Sequence, residues 1–468
     1  MEMAGLMSLN GDNGYILSFD LYRRPGKYTI MDIDNTTYSD LSLFSQEEEF
    51  SVFHKLDLTR TQGGRDQLLV YFNRPFGALG PILETQQILT LIIQRIDEWP
   101  MTISNGTVMV MERFYETAVD TLPHAHNLPG ALTYKLFHAP DYSLVRYSIG
   151  HFADFVRGMD RLMTLLDQPD CPALLAGLLE RGRRLLDNEV LQSLAKTTPG
   201  GKLNAIQVIH YGYHIRERFK SQMQGLIEIH NKLDAWYSMA MAVRKFRLSF
   251  PTFTRSEDSY IEVRSLYHLL LPAPVSYDVQ LDKSTNFLFL TGANMAGKST
   301  FIRAVGVSVF LAHLGMGVPA ASMQLSLFDG ILSNINVVDN IAKGESYFFN
   351  EVQRIRDTLT KISGKKKWLV LIDELFKGTN VQDAMKCSTA VIKGLIRISQ
   401  SLFILSTHLY EIGEELKQYP NISFRYFETA VKNDQLEFSY QLKEGISNDR
   451  IGYLILKREK VVEMLERL

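Results

Sequence analysis

The residues best suited to chemistry lie in the second half of the chain. Residues 291–300, Thr-Gly-Ala-Asn-Met-Ala-Gly-Lys-Ser-Thr, satisfy the spacing G-x-x-x-x-G-K-[ST] at Gly292, Gly297, Lys298 and Ser299. A loop of this kind wraps a polyphosphate in backbone N–H groups, which glycines allow to come close, and the following helix adds a partial positive charge. Gly292, Ala293, Asn294, Met295, Ala296, Gly297, Lys298, Ser299 and Thr300 are therefore the candidate cradle for a nucleoside triphosphate. In that reading Lys298 reaches the terminal phosphates and Ser299 ligates Mg2+. Further on, Leu369-Val-Leu-Ile-Asp373-Glu374 is an apolar run ending in two carboxylates. Such a strand delivers acids to the carboxyl end of an open α/β sheet, where ligands bind. Asp373 is the candidate to hold Mg2+, directly or through water, and Glu374 to orient and deprotonate an attacking water. Leu405-Ser-Thr-His408 is another apolar run, ending in a histidine placed either to sense a γ-phosphate or simply to cap a helix.

These groups need elements to hold them. Phe287-Leu-Phe-Leu290, just before the glycine loop, reads as a buried strand, and Phe301 to Leu314, just after it, carries apolar residues at helical spacing. That order of strand, loop and helix separates a phosphate cradle from a glycine turn with no ligand. Apolar strands at 287–290, 369–372 and 402–405 alternate with helices at 301–314 and 383–398, which predicts a parallel sheet wound with helices. Between 41 and 250 the pattern is mostly helical. Ile82 to Ile96, Tyr142 to Leu166, Leu174 to Leu194 and Ile206 to Phe246 keep the helical period, punctuated by Pro169, Pro172 and Pro199-Gly-Gly201. Tyr28 to Ile33 alternates like a short strand. The expected fold class is α + α/β, with a short segment at 1–30, a largely helical domain at 31–250 and a nucleotide-binding domain with a mostly parallel sheet at 251–468.

Composition narrows the function classes. At 468 residues the chain is too long for one ordinary core, and 46% hydrophobic with 22% charged residues describes a globular protein. Fifty basic against 52 acidic side chains leave a net charge of −2, which does not advertise nucleic-acid binding overall. Two cysteines, Cys171 and Cys387, exclude a disulfide framework and offer no zinc-ligand spacing. No secretory signal and no membrane span is read, so a cytoplasmic protein is expected. The pairs His124/His126 and His210/His214 stand close in sequence, the second at a metal-binding i, i+4 spacing. No Glu follows His210 and no third ligand is evident, so a helical scaffold is the preferred reading.

As a set, the motifs resemble the MutS family of DNA mismatch-repair ATPases. The resemblance runs through the glycine loop with its Asn294-Met295, then Asp-Asn-Ile-Ala-Lys-Gly-Glu-Ser-Tyr-Phe at 339–348, then Asp373-Glu-Leu-Phe-Lys-Gly-Thr-Asn380, then Ser-Thr-His408. It extends upstream through Asp34 to Leu43, Leu56 to Arg65, Leu233 to Ser238 and Pro251-Thr-Phe253. It implies a helical core and lever domain followed by an ABC-like P-loop ATPase domain. It also implies that Gly292, Asn294, Gly297, Lys298 and Ser299 grip ATP and Mg2+. Ser346 would reach across a homodimer to the γ-phosphate in the partner's site, His408 would act as the family's switch histidine, and Gly378, Thr379 and Asn380 would lie near the dimer interface.

Departures from the family pattern shape the expected function. Nothing before residue 31 matches a mismatch-reading domain or connector, residues 167–205 are too short for a DNA clamp, and the family's C-terminal helix-turn-helix is not matched after Tyr453. Ala293 and Ala296 stand where the family has Pro and Gly. The resemblance therefore implies ATP hydrolysis coupled to dimer closure on DNA, of branched or distorted form, without direct reading of a mispair. Arg181, Arg183, Arg184, Lys196 and Lys202 are the candidate phosphate contacts, against the simpler reading of a solvated helix face. The alternative function is a nucleotide-gated dimeric module acting on RNA, a ribosome or a protein partner.

Overall fold

The computed structural model describes residues 29–124, 128–198, 201, 203–336, 347–432, 435–447, 461 and 464. The described residues begin with a two-residue strand, β1 (Asp32–Ile33), and a run of side-chain-capped helices. Asp34 accepts from the Thr37 N–H and starts α1 (Asn35–Asp40); Ser51 caps α2 (Val52–Leu56) and Thr61 caps α3 (Gln62–Phe72). Then come α4 (Leu79–Arg95) and α5 (Asn105–Glu116), the latter opened by a reciprocal Ser104–Thr107 capping box. The helical part continues with α6 (Leu128–Phe137), α7 (Ala139–Leu166), α8 (Ala173–Leu186), α9 (Glu189–Ala195), α10 (Ala205–Tyr213) and α11 (Lys220–Phe246).

Two helices expected to be continuous are broken, each for a local reason. The run 174–194 divides at Asp187-Asn188, because the Asn188 side chain accepts the Val190 N–H and restarts the chain as α9. The run 206–246 is interrupted by a π-helical turn at His214–Arg218. Tertiary groups take up the shifted backbone there: the Tyr115 hydroxyl donates to the Ile215 carbonyl at 3.2 Å, and Arg216 bonds the carbonyls of Phe114 and Thr117 at 2.6 and 2.7 Å.

α11 organises its surroundings through two buried polar side chains. Asp234 accepts the N–H groups of Arg60 and Thr61 and the Thr61 hydroxyl, at 2.7–3.1 Å. Ser238 accepts from the Leu58 N–H at 2.7 Å and donates to the Leu56 carbonyl at 3.0 Å. The loop between α2 and α3 is thereby fixed to the long helix.

From residue 252 the pattern changes to strands: β2 (Thr252–Thr254), β3 (Ile261–Leu266), β4 (Tyr277–Leu281) and β5 (Phe287–Thr291). α12 (Lys298–His313), β6 (Ser322–Ser326) and β7 (Gly330–Asn334) follow, then α13 (Tyr347–Ile362), β8 (Trp368–Asp373), α14 (Val381–Leu395), β9 (Leu402–Ser406), α15 (Glu411–Leu416), β10 (Ile422–Lys432) and β11 (Gln435–Glu444). Seven strands form one sheet in the order β1-β7-β8-β9-β5-β10-β11, parallel except for β11. β5, β7 and β9 are buried at every position, as expected of parallel strands covered on both faces. α12 is buried almost all round and packs against β8 and β9. A smaller sheet, β2-β6-β3-β4, flanks it. β1 and α1 lie against β7, so this N-terminal stretch joins the sheet rather than the helices that follow it. Of the expected strand over 28–33, Tyr28 lies outside the described residues; within 29–33 the strand is β1, and Ile30 makes an isolated bridge to Phe76. Among the described residues no helix is long and apolar enough to cross a membrane.

Candidate nucleotide-binding site

Strand register brings the chemical residues into one row. β9 lies between β5 and β8, with Ser406 opposite both Leu290 and Asp373. The glycine loop after β5, the acids ending β8 and the histidine after β9 therefore leave the sheet side by side at its carboxyl edge. The loop depends on left-handed backbone: Gly292 has φ +135°, Met295 +67° and Gly297 +108°. A Cβ on Gly292 would stand 3.1 Å from the Phe427 carbonyl oxygen, a crowding that glycine avoids. Met295 is 76% exposed at the tip, whereas Ala293 and Ala296 are buried. Their small side chains suit that packing.

Lys298, only 5% exposed, turns back onto its own loop, donating to the carbonyls of Gly292 and Ala293 at 2.7 and 2.9 Å. Burial lowers its pKa to about 8, while Glu374 and Asp373 pull the other way. Ser299 donates to Asp373 Oδ2 at 2.5 Å, and the other carboxylate oxygen of Asp373 accepts from the Ser406 hydroxyl. Thr300 and Asn294 line the same cleft. Glu374 sits at φ +65° and is gripped from two sides, by His408 Nε2 at 2.5 Å and Lys377 Nζ at 3.1 Å. Burial alone would raise its pKa, but the hydrogen bond and charge of His408, helped by Lys377, hold it at about 2.

The structure adds residues that the motifs did not flag. Glu351 of α13, 5% exposed, accepts the N–H groups of Lys377 and Gly378 at 3.0 and 3.2 Å and so holds the loop that carries Glu374. Asn380 closes that loop by capping α14 through the Asp383 N–H. An open cleft of about 790 Å³ runs from these acids past the glycine loop to Leu271, Pro272, Val275, Tyr277 and Tyr440. No sequence spacing links a tyrosine of β11 to a loop before β4. Only the β5–β10–β11 pairing brings Tyr440 over the glycine loop.

The remaining expectations fare differently. Ser346, Lys202 and His126 lie outside the described residues. Arg181, Arg183 and Arg184 are each engaged by an acid, namely Glu228 at 3.1 Å, Asp167 at 2.5 Å and Glu180 at 3.9 Å; Lys196 is exposed. The rings of His210 and His214 stand 4.7 Å apart. Among the described residues, neither belongs to a group of three or more His, Cys, Asp or Glu able to hold a metal.

Fold and site together define an open α/β domain whose reactive side chains gather where a glycine loop enters a buried helix, joined to a helical part. Residues 288–464 match the family model of MutS domain V. The DNA mismatch repair protein MutS of Leuconostoc mesenteroides is 33% identical over 249 residues, which cover 51% of this chain and 29% of that protein. The DNA mismatch repair protein msh3 of Aspergillus oryzae is 31% identical over 190 residues, 39% of this chain and 17% of that protein. The DNA mismatch repair protein MutS of Lactococcus lactis is 26% identical over 247 residues, 52% of this chain and 29% of that protein. The chain's second half is thus similar to MutS domain V and to these DNA mismatch repair proteins. Its matches span less than a third of the length of these relatives.

Proposed function

We propose that this chain is a Mg2+-dependent P-loop ATPase whose domain at 251–468 couples ATP hydrolysis to homodimer closure on DNA, of branched or distorted form, with the helices of 31–250 as the arms. The observation that carries the reading is the convergence of Lys298, Ser299, Asp373 and Glu374 on one cleft at the carboxyl edge of the sheet. The cleft has the volume of a small-ligand site, with an apolar, aromatic end at Pro272, Val275 and Tyr440 for a base and a polar end for phosphates. Lys298 exchanges its loop carbonyls for phosphate oxygens, and burial makes that charge strong when paired. The hydroxyl of Ser299 and the carboxylate of Asp373 are hard oxygen donors side by side, which fits Mg2+. When bound, Mg2+ supplies charge against the negative charge building on the transferred phosphate. Glu374, at about 2, is too acidic to take a proton while His408 and Lys377 hold it. In that arrangement it orients water, and it acts as a base only after those partners withdraw. Ser346 completes the site in trans, as the family resemblance implies, so that ATP closes the dimer.

The test compares ATPase rates with mispaired, branched and homoduplex DNA and with RNA at one salt concentration. Stimulation by branched duplex above the other arms supports the reading; equal rates in every arm remove DNA as the client. One observation favours the alternative of a nucleotide-gated module with an RNA or protein client: Arg181, Arg183 and Arg184 already have acidic partners. ATP-driven dimerisation with no steep salt dependence of duplex binding would select it.

A further inference from the structure

Ser406, the last residue of β9, is fully buried and stands opposite Asp373, the last residue of β8, in the parallel pairing of the two strands. Residues paired in this way project their side chains from the same face of a sheet. The backbone here is held on both sides. The Ser406 carbonyl accepts the Glu374 N–H at 2.9 Å, and the next residue, Thr407, donates its N–H to the Leu290 carbonyl at 3.0 Å. On that fixed backbone the Ser406 hydroxyl donates to Asp373 Oδ1, while Asp373 Oδ2 accepts the Ser299 hydroxyl at 2.5 Å. The two oxygens of one carboxylate thus face different surroundings. Oδ2 faces Ser299, which lines the cleft together with Asp373; Oδ1 faces Ser406, which lies behind that lining. An ionised carboxylate can only accept, and a buried hydroxyl has no bulk water to turn to, so this contact is costly to break.

We infer that Ser406 is a positioning residue that sets the metal preference of the nucleotide site: by holding Oδ1 it leaves a divalent cation a single oxygen of Asp373. Ca2+ gathers about six to eight oxygens and often takes both oxygens of a carboxylate, whereas Mg2+ keeps a small octahedral shell rich in water. One carboxylate oxygen beside one hydroxyl therefore suits Mg2+ and under-supplies Ca2+. Removing the Ser406 hydroxyl frees Oδ1 and lets the Asp373 carboxylate turn. Mg2+ then loses a ligand held in place, and Ca2+ gains a second oxygen. The inference rests on the Mg·ATP reading of this cleft.

Binding of a fluorescent ATP analogue to the full chain, measured with saturating Mg2+, with saturating Ca2+ and with EDTA, reads the preference without turnover. The parent is expected to bind most tightly with Mg2+. In Ser406→Ala the affinity with Mg2+ should fall about tenfold or more, the usual cost of losing a partner that orients a metal ligand. The affinity with Ca2+ should hold or rise, so the preference between the two ions moves by at least the same factor. Affinity in EDTA should match the parent, because Lys298 and the glycine loop are untouched. Ser406→Thr, which keeps the hydroxyl, should keep the parent's order of ions. An equal fall with both metals would make Ser406 a mere prop of the sheet edge and overturn the inference. Unchanged affinity in all three conditions would overturn it too, as would loss of the Mg2+ preference in Ser406→Thr. A parent that binds no more tightly with Mg2+ than with EDTA fails differently: the Mg·ATP reading is then wrong, and the inference falls with it. Should Ser406→Ala not fold, Ser406→Cys replaces the hydroxyl by a weak S–H donor and is expected to shift the preference towards Ca2+ in the same way; no shift there overturns the inference.

Discussion

Replacing Glu351 by alanine tests how the loop that carries Glu374 is held. The Glu351 carboxylate accepts two backbone N–H groups of that loop, at 3.0 and 3.2 Å. Hydrogen bonds to a charged acceptor contribute about 1.5–3 kcal/mol each, so roughly 3–6 kcal/mol is the gross loss. Two effects reduce it. Lys377 and Gly378 are exposed, so water can reach their N–H groups, and burial of Glu351 is itself costly, as its raised pKa shows. A net destabilisation of about 2 kcal/mol is the expected outcome. The loop also stores strain, with Glu374 and Phe376 at φ +65° and +59°, on the order of 1–2 kcal/mol per non-glycine residue. Released from Glu351, these residues relax and carry Glu374 out of line, and each 1.4 kcal/mol of lost transition-state stabilisation lowers kcat about tenfold. Urea unfolding should show a lower midpoint with an unchanged slope, and steady-state kinetics a kcat about tenfold or more lower with KM little changed. A variant that loses stability yet keeps the parental kcat would refute the claim that Glu351 positions the loop.

Further outcomes follow from the same geometry. Burial holds Lys298 at about 8, below its ordinary value. The lysine is therefore charged below that pH and neutral above it, and nucleotide affinity should fall as pH rises through about 8. In the same window, up to the unfolded value, the protein without nucleotide gains stability from this group, because its unfolded chain binds the extra proton. An affinity flat from pH 7 to about 9.5 would show that the ammonium does not contact the ligand. Glu374→Ala should bind ATP but not turn it over, and accumulate as an ATP-bound dimer by light scattering; normal turnover would remove Glu374 from the chemistry.

Much of the site was legible because its residues are tied to short spacings. The glycine loop, the acids ending β8 and the histidine after β9 each sit at the end of an apolar run, and period and length suffice to find such strands. Their convergence needed the strand order, which sequence alone does not state: β9 enters between β5 and β8 and makes Ser406 a second partner of Asp373. Residues acting across long separations left no local mark. Glu351 reads as one acid on an amphipathic helix and Tyr440 as one aromatic on an edge strand. The helix breaks at 187–188 and 214–218 were hidden because apolar period persists through them, while Asn188, Tyr115 and Arg216 decide the backbone.

The account stands or falls on the grip of the glycine loop on Mg·ATP. Equilibrium titration of a fluorescent ATP analogue with Mg2+, against the parent chain and Lys298→Ala, tests it most directly. Saturable binding by the parent and its loss in the variant, with the fold retained by circular dichroism, is the predicted result. Equal affinity in the two proteins would contradict the assignment of this cleft.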